Sequence, residues 1–220
     1  MSKTTLGALA LLAAGMALAA PGLAAPDRSN VAIAVSLRSS AANVPAPPVT
    51  FASESKLWLT GDSTLHRYSS QATEWHIAVT LPESTQNSPA ERLARGFSHL
   101  EIDVPVGALK SGEGLLDTNM AHALKSDRYP TIRFSADRGT VSVSPAGDVQ
   151  ARADGTLLVA GVERPADVEA SGRLEGDTLH LTGSKTLSMK AFDVAPPTLF
   201  LGTVRVADPI EVHFDLTARL

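Results

Sequence analysis

Ile210-Glu211-Val212-His213-Phe214-Asp215-Leu216-Thr217-Ala218-Arg219 is the stretch on which the fold turns. Ile210, Val212, Phe214, Leu216 and Ala218 are apolar, and Glu211, His213, Asp215, Thr217 and Arg219 stand between them. Successive side chains of a strand point to opposite faces, so this segment has one dry face and one wet face. A sheet built of such strands covers a core on one side only, which is the mark of antiparallel pairing.

Working outward, the same alternation recurs. Trp75, Ile77, Val79 and Leu81 share a face against Glu74, His76, Ala78 and Thr80. Leu100, Ile102 and Val104 alternate with Glu101 and Asp103, and Ile132, Phe134 and Ala136 with Arg133, Ser135 and Asp137. Val168 and Ala170 alternate with Asp167, Glu169 and Ser171, and Leu179 and Leu181 with His180 and Thr182. Hairpin reversals are expected at Gly139, at Pro145-Ala146-Gly147-Asp148, at Asp154-Gly155 and at Glu175-Gly176-Asp177. Leu115–Lys125 departs from period two. Leu116, Met120 and Leu124 recur at the spacing of one helical face, Asp117 stands early and Lys125 late as the helix dipole prefers, and Pro130 forbids continuation. Pro89–Arg95 is a second, shorter helical stretch that also reads as a loop turn.

About eight strands and one main helix must either sandwich or close, and closure removes the exposed edges. The expected fold is therefore all-β, an antiparallel eight-stranded barrel with one capping helix. A barrel of that size has room for one small elongated ligand.

Composition narrows the function. The chain has 220 residues, is 44% hydrophobic, and balances 19 Lys+Arg against 23 Asp+Glu, for a net charge of -4. That is globular composition without the basic face a general nucleic-acid binder needs. The absence of cysteine removes disulfides, thiol catalysis and cysteine-ligated metal sites. Residues 1–24 read as a signal peptide: Lys3 precedes the apolar run Leu6–Leu18, and small residues permit cleavage after Ala19 or, preferably, after Ala24. The run is too short to span a bilayer and is closed by Pro21 and Pro26, so no transmembrane anchor is expected in the mature form. Residues 25–50, with three prolines within AANVPAPPVT, read as a Pro/Ala/Ser-rich tether, in which Val31–Leu37 has strand character. The folded domain is placed at 51–220.

Four segments resemble the YceI family of secreted, lipocalin-like β-barrels. They are Gly61-Asp62-Ser63-Thr64-Leu65-His66 with Tyr68 following; Asp117 to Phe134, including Met120, Leu124, Tyr129-Pro130 and Ile132; Leu157 to Pro165, which lacks the family's threonines at its Gly161-Val162 turn; and Met189 to Phe214, with Phe192-Asp193-Val194, Pro196-Pro197 and Asp208 in order. The resemblance implies a barrel capped by a helix, a cavity for a polyisoprenoid, quinone-like or other long-chain amphiphile, and residence in the periplasm. It implies no cofactor beyond a bound isoprenoid-type lipid.

If the dry faces point inward, Trp75, Ile77, Val79, Ile102, Met120, Phe134, Val168, Leu181, Val212 and Phe214 line the lumen. Burying a hydrocarbon chain there yields about 0.8 kcal/mol per methylene. Roughly ten to fifteen buried carbons then reach micromolar binding against the cost of association. Leu116, Met120 and Leu124 either plug one end or meet the ligand. His66 and Arg164 are the expected polar anchors for a headgroup, with Lys190 a further cation for it.

Catalysis and metal binding find less support. Ser63 and His66 are close enough in sequence for a nucleophile and base, the basis of an alternative lipid-modifying hydrolase. No Gly-x-Ser-x-Gly elbow surrounds that serine. The six histidines form no pair with zinc-ligand spacing, and no metal site is expected. Gly183-Ser184-Lys185-Thr186 lacks the order of a phosphate-binding loop and reads as a strand with a bulge. Arg164-Pro165 and Pro196-Pro197 read as turns. The expected partner is a hydrophobic small molecule and not nucleic acid; a homodimer is compatible with this, as is an interaction module whose barrel is filled by its own side chains.

Overall fold

The computed structural model describes residues 49–82, 88–196, 198–199 and 204–220. The expected signal peptide and the tether, with its strand-like Val31–Leu37, lie outside the described residues. So does part of the Pro196-Pro197 stretch.

The described chain is a curled antiparallel sheet carrying two short helices. Its strands are β1 (Thr50–Phe51), β2 (Lys56–Ser63), β3 (Arg67–Ala72), β4 (His76–Thr80), β5 (His99–Pro105), β6 (Leu109–Lys110), β7 (Thr131–Ala136), β8 (Gly139–Val143), β9 (Asp148–Val159), β10 (Val162–Glu175), β11 (Thr178–Ser188), β12 (Thr198–Leu199) and β13 (Val204–Arg219). Ladders run in the order β4-β5-β7-β9-β10-β11-β13-β2-β3-β6; β8 also pairs with β9, and β1 and β12 with β13. The count exceeds the eight expected for simple reasons. β1, β6 and β12 are two-residue pieces, and β7 and β8 both lie along the one long strand β9. Among the described residues no ladder joins β4 to β3 or β6, so the barrel wall keeps a seam there.

β13 contains the expected strand and pairs with the whole of β11, from Thr178↔Arg219 to Ser188↔Pro209. Against β13 the register is regular through Gly183, Ser184, Lys185 and Thr186, with no bulge, whereas the ladder to β10 ends at Thr182. The irregularity lies instead in β13, between Val206 and Ile210 opposite β2.

Two of the expected turns move. Asp154-Gly155 is strand interior, paired with Asp167 and Ala166 of β10. The reversal comes five residues later, where Val159 pairs with Val162 and Ala160 and Gly161 take φ of 50° and 84°. Two consecutive left-handed residues form the hairpin turn whose twist suits the flanking strands. Arg164-Pro165 is likewise strand, opposite Leu157 and Thr156. Glu175-Gly176-Asp177 does reverse the chain, with Glu175 paired to Thr178.

The main helix, α2, spans Gly114–Ala123 and ends where Lys125 turns left-handed at φ 54°. Its first turn is tied down by Asp117, whose carboxylate accepts from the Ser111 amide (2.7 Å) and hydroxyl (2.6 Å). Those bonds hold the Asp117 carboxyl below its ordinary pKa. The shorter stretch is also a helix, α1 (Pro89–Ala94), with Pro89 at its first position where a missing N–H costs nothing.

The core falls into clusters at the two ends of β9. Leu93 of α1 packs with Val149, Leu179 and Leu220 at its start. Val159, Ala160, Phe192 and Val194 pack at its end, against Leu124 and Met189. A further cluster, Ala72, Val104 and Leu109, packs with Met120 of α2, and another joins Phe134 and Ala136 to Ala153 of β9.

Gly172 shows how closely β10 and β11 pack. A Cβ there would fall well inside contact distance of the His180 carbonyl oxygen, a backbone atom that cannot swing away. Gly172→Ala is expected to cost about 3 kcal/mol, the upper range for overpacking, measured as a shift of the urea unfolding midpoint.

Candidate functional site

The inward faces enclose a cavity of about 370 Å³, within the roughly 300–1,000 Å³ typical of small-molecule sites. Small residues on two adjoining strands leave part of that space open. β9 contributes Ala151 and Ala153 and β10 contributes Ala166 and Ala170, and in the ladder Ala151 pairs with Ala170. The rest of the lining is bulkier: Trp75, Phe134 of the adjoining β7, Phe214 and the leucines of β2 and β11. Large side chains reaching across a small barrel normally fill it; here they meet methyl groups and leave space.

All ten residues expected from alternation, namely Trp75, Ile77, Val79, Ile102, Met120, Phe134, Val168, Leu181, Val212 and Phe214, line this cavity. Leu116 and Leu124 line it with Met120, so the helix both closes and faces the lumen. Trp75 sits edge-on to Phe51, ring centroids 6.0 Å apart. Trp58 stacks on His213 at 5.2 Å, and His213 also meets the Thr60 hydroxyl at 3.1 Å. Tyr68 adds a hydroxyl to the lining, and burial followed by the nearby Asp62 charge raises its pKa.

The expected polar anchors are not on the cavity wall. The exposed His66 ring puts Nδ1 2.8 Å from the Arg67 carbonyl oxygen, within the turn between β2 and β3. Arg164 is exposed and its Nε donates to the Ala191 carbonyl at 2.9 Å. At Lys190 the amide donates to Asp208 at 2.9 Å. Arg164 is a strand residue bracing the segment after β11.

Ser63 and His66 do not form a nucleophile–base pair. The Ser63 hydroxyl donates to the His66 carbonyl at 2.7 Å and accepts from the Leu65 and His66 amides, both at 3.2 Å. This is a serine turn that organises the loop. The other histidines are dispersed: His180 meets the Thr217 hydroxyl at 3.1 Å. Among the described residues no group of three His, Asp or Glu gathers in ligating geometry.

The charged side chains that do border the cavity are Arg152, Asp167 and Lys185. The Lys185 ammonium lies 2.6 Å from Asp167 Oδ1, and Arg152 stands 3.9 Å from the other oxygen. The Lys185 hydrogen bond is the largest cause holding the Asp167 carboxyl below its ordinary pKa. The sequence did carry a sign of this group. Lys185 has the same parity as Leu179, Leu181 and Leu187, a cation in the dry row of β11.

Comparison with known proteins places this geometry. Residues 47–218 match the model of the YceI-like domain family. The structure is similar to Burkholderia cenocepacia BcnA, at 15% identity and a TM-score of 0.55, covering 74% of this chain and 95% of that one. It is similar to a polyisoprenoid binding domain from Saccharophagus degradans implicated in plant cell wall breakdown, at 13% identity and a TM-score of 0.57, covering 78% and 98%. It is also similar to a Campylobacter jejuni YceI protein, at 14% identity and a TM-score of 0.52, covering 69% and 84%. No curated protein matches the sequence. With an antiparallel lipocalin-like wall around an apolar hollow, and a family match over most of its length, the chain belongs to the YceI-like domain family.

Proposed function

We propose that this protein binds a long hydrophobic amphiphile, of the polyisoprenoid or quinone-like class, and carries it through the periplasm without chemical turnover. The observation that carries this reading is the cavity: about 370 Å³ enclosed by the dry faces of the sheet and α2. A hydrocarbon tail entering it leaves water along its whole length, which is sufficient driving force without any catalytic group. The family membership and the neighbour that binds a polyisoprenoid support the ligand class. The Ser63 hydroxyl turned onto a backbone carbonyl supports binding over hydrolysis.

The remaining assignments belong to this reading. Residues 1–24 direct export and are removed, 25–50 tether, and 51–220 form the carrier domain. Among the described residues no helix is long and apolar enough to cross a membrane. The ten lining residues named above contact the tail.

The deciding experiment is organic extraction of natively expressed, exported protein, followed by mass spectrometry. The expected result is an unmodified lipid at about one per chain. Protein that extracts empty, and that takes up no long-chain lipid when offered one, would defeat the carrier reading.

A second measurement tests the cavity itself. Ala170→Phe puts a ring into the lumen from the small-residue wall. It is expected to weaken binding of a long-chain lipid roughly ten-fold or more, with its melting temperature little changed because the ring enters existing space. Ser63→Ala, by contrast, is expected to leave lipid retention unchanged.

A further inference from the structure

Strands β10 and β11 run side by side but are laddered only at one end, from Ser171↔Thr182 to Glu175↔Thr178. Beyond that, residues 162–170 of β10 pair with β9 alone, and residues 183–188 of β11 pair with β13 alone. Pro165 sits on the unladdered stretch. A proline has no N–H for a second neighbour, and along a split β10 has none to serve.

Lys185 shows that the split passes through the wall. Its partner across the ladder is Val212, which lines the cavity, and directly opposed residues share a face. Two residues earlier, Phe214 lays its ring over Gly183 on that same inner face, and the Glu169 carbonyl of β10 still lies against Gly183, so the strands part beyond that point. Lys185 is therefore rooted inside. Asp167 is rooted outside, since its neighbours Ala166 and Val168 take the inner positions of β10. Yet the Lys185 ammonium reaches the Asp167 carboxylate at 2.6 Å. A side chain rooted in the lumen can meet one rooted on the outer surface only where the strands leave a gap. The pair is neither sealed nor fully exposed, with side-chain exposures of 34% and 40%.

We propose that this gap is a lateral port, and that Lys185 holds there the oxyanion head of an acidic amphiphile whose tail occupies the cavity. The inference rests on the cavity reading above and specifies the ligand's head. Among the described residues the lining carries charge only here, at Lys185, Asp167 and Arg152, so a charged head finds its counter-charge at this one stretch of wall. Among the described residues the Lys185 ammonium donates only to Asp167, leaving N–H donors for a carboxylate or phosphate oxygen. Glu169 and Asp154 lie on the outer side and are engaged by Arg152, which also stands near Asp167. The inner approach to Lys185 is thus the one free of other carboxylates.

The test is fluorescence titration of the delipidated full chain with cis-parinarate and with its methyl ester, which share a tail and differ in head charge. Wild type is expected to prefer the acid. Lys185→Met is expected to weaken acid binding roughly ten- to hundred-fold, the worth of a hydrogen bond to a charged group, and to leave ester binding within about two-fold. Asp167→Asn breaks the ion pair but keeps the cation, and is expected to retain the acid preference. Unchanged binding in Lys185→Met overturns the proposal. Equal loss of both probes in Lys185→Met and in Asp167→Asn also overturns it, making the pair a structural latch. Should wild type bind the ester as tightly as the acid, the headgroup assignment falls while the cavity reading stands. Binding of neither probe defeats both.

Discussion

What the rest of the structure depends on is a mismatch of side-chain size across a curled sheet. The long strands share a two-faced pattern, and the curl turns their dry faces toward one another. That alone would yield a packed centre. Space remains where β9 and β10 present Ala151, Ala153, Ala166 and Ala170 among larger lining residues such as Trp75, Phe134 and Phe214. Van der Waals reach decides the outcome: a methyl group does not cross the space that a leucine would fill. A dry hollow bounded in this way holds no water strongly, so an apolar chain enters with little to displace.

The ends of the tube are closed by different means. At one end Leu93 of α1 and the C-terminal Leu220 pack on Val149 and Leu179. At the other, the chain after β11 folds back to bury Phe192 and Val194 against the β9–β10 hairpin. Arg164 and Lys125 hold that segment by donating to the Ala191 and Asp193 carbonyls. On the outer face, ion pairs such as Arg133 with Asp103 and Glu101 decorate the wall. Such exposed pairs add little stability, and the fold rests on the apolar side. Polar chemistry meets the lumen chiefly where the wall itself divides.

That division has a local cause. β10 must serve two neighbours over its second half and one over its first. Pro165 suits an edge position and not a central one, and it occurs where the ladder to β11 has ended. The same divergence lets Lys185 leave the lumen and find Asp167. Removal of an inward lysine from an apolar environment would otherwise be required, since an isolated ammonium is costly to bury.

The alternating rows of residues 75–81, 100–104, 132–136, 168–170, 179–181 and 210–218 determined, without any structure, which side chains would face inward, because a strand's period of two is intrinsic to its backbone. The helix around Met120 was legible from the four-residue spacing of Leu116, Met120 and Leu124, although it ends where Lys125 turns left-handed, well before Pro130. Turn chemistry was a weaker guide: Asp154-Gly155 and Arg164-Pro165 carry turn residues, yet long-range pairing with Asp167, Ala166, Leu157 and Thr156 holds both in strands. Tertiary structure alone decided where β10 and β11 part, and therefore that Lys185 and Arg152, not His66 or Arg164, border the cavity. Ladder length depends on how two distant neighbours compete for one strand's edge, and that competition has no local signature in the sequence.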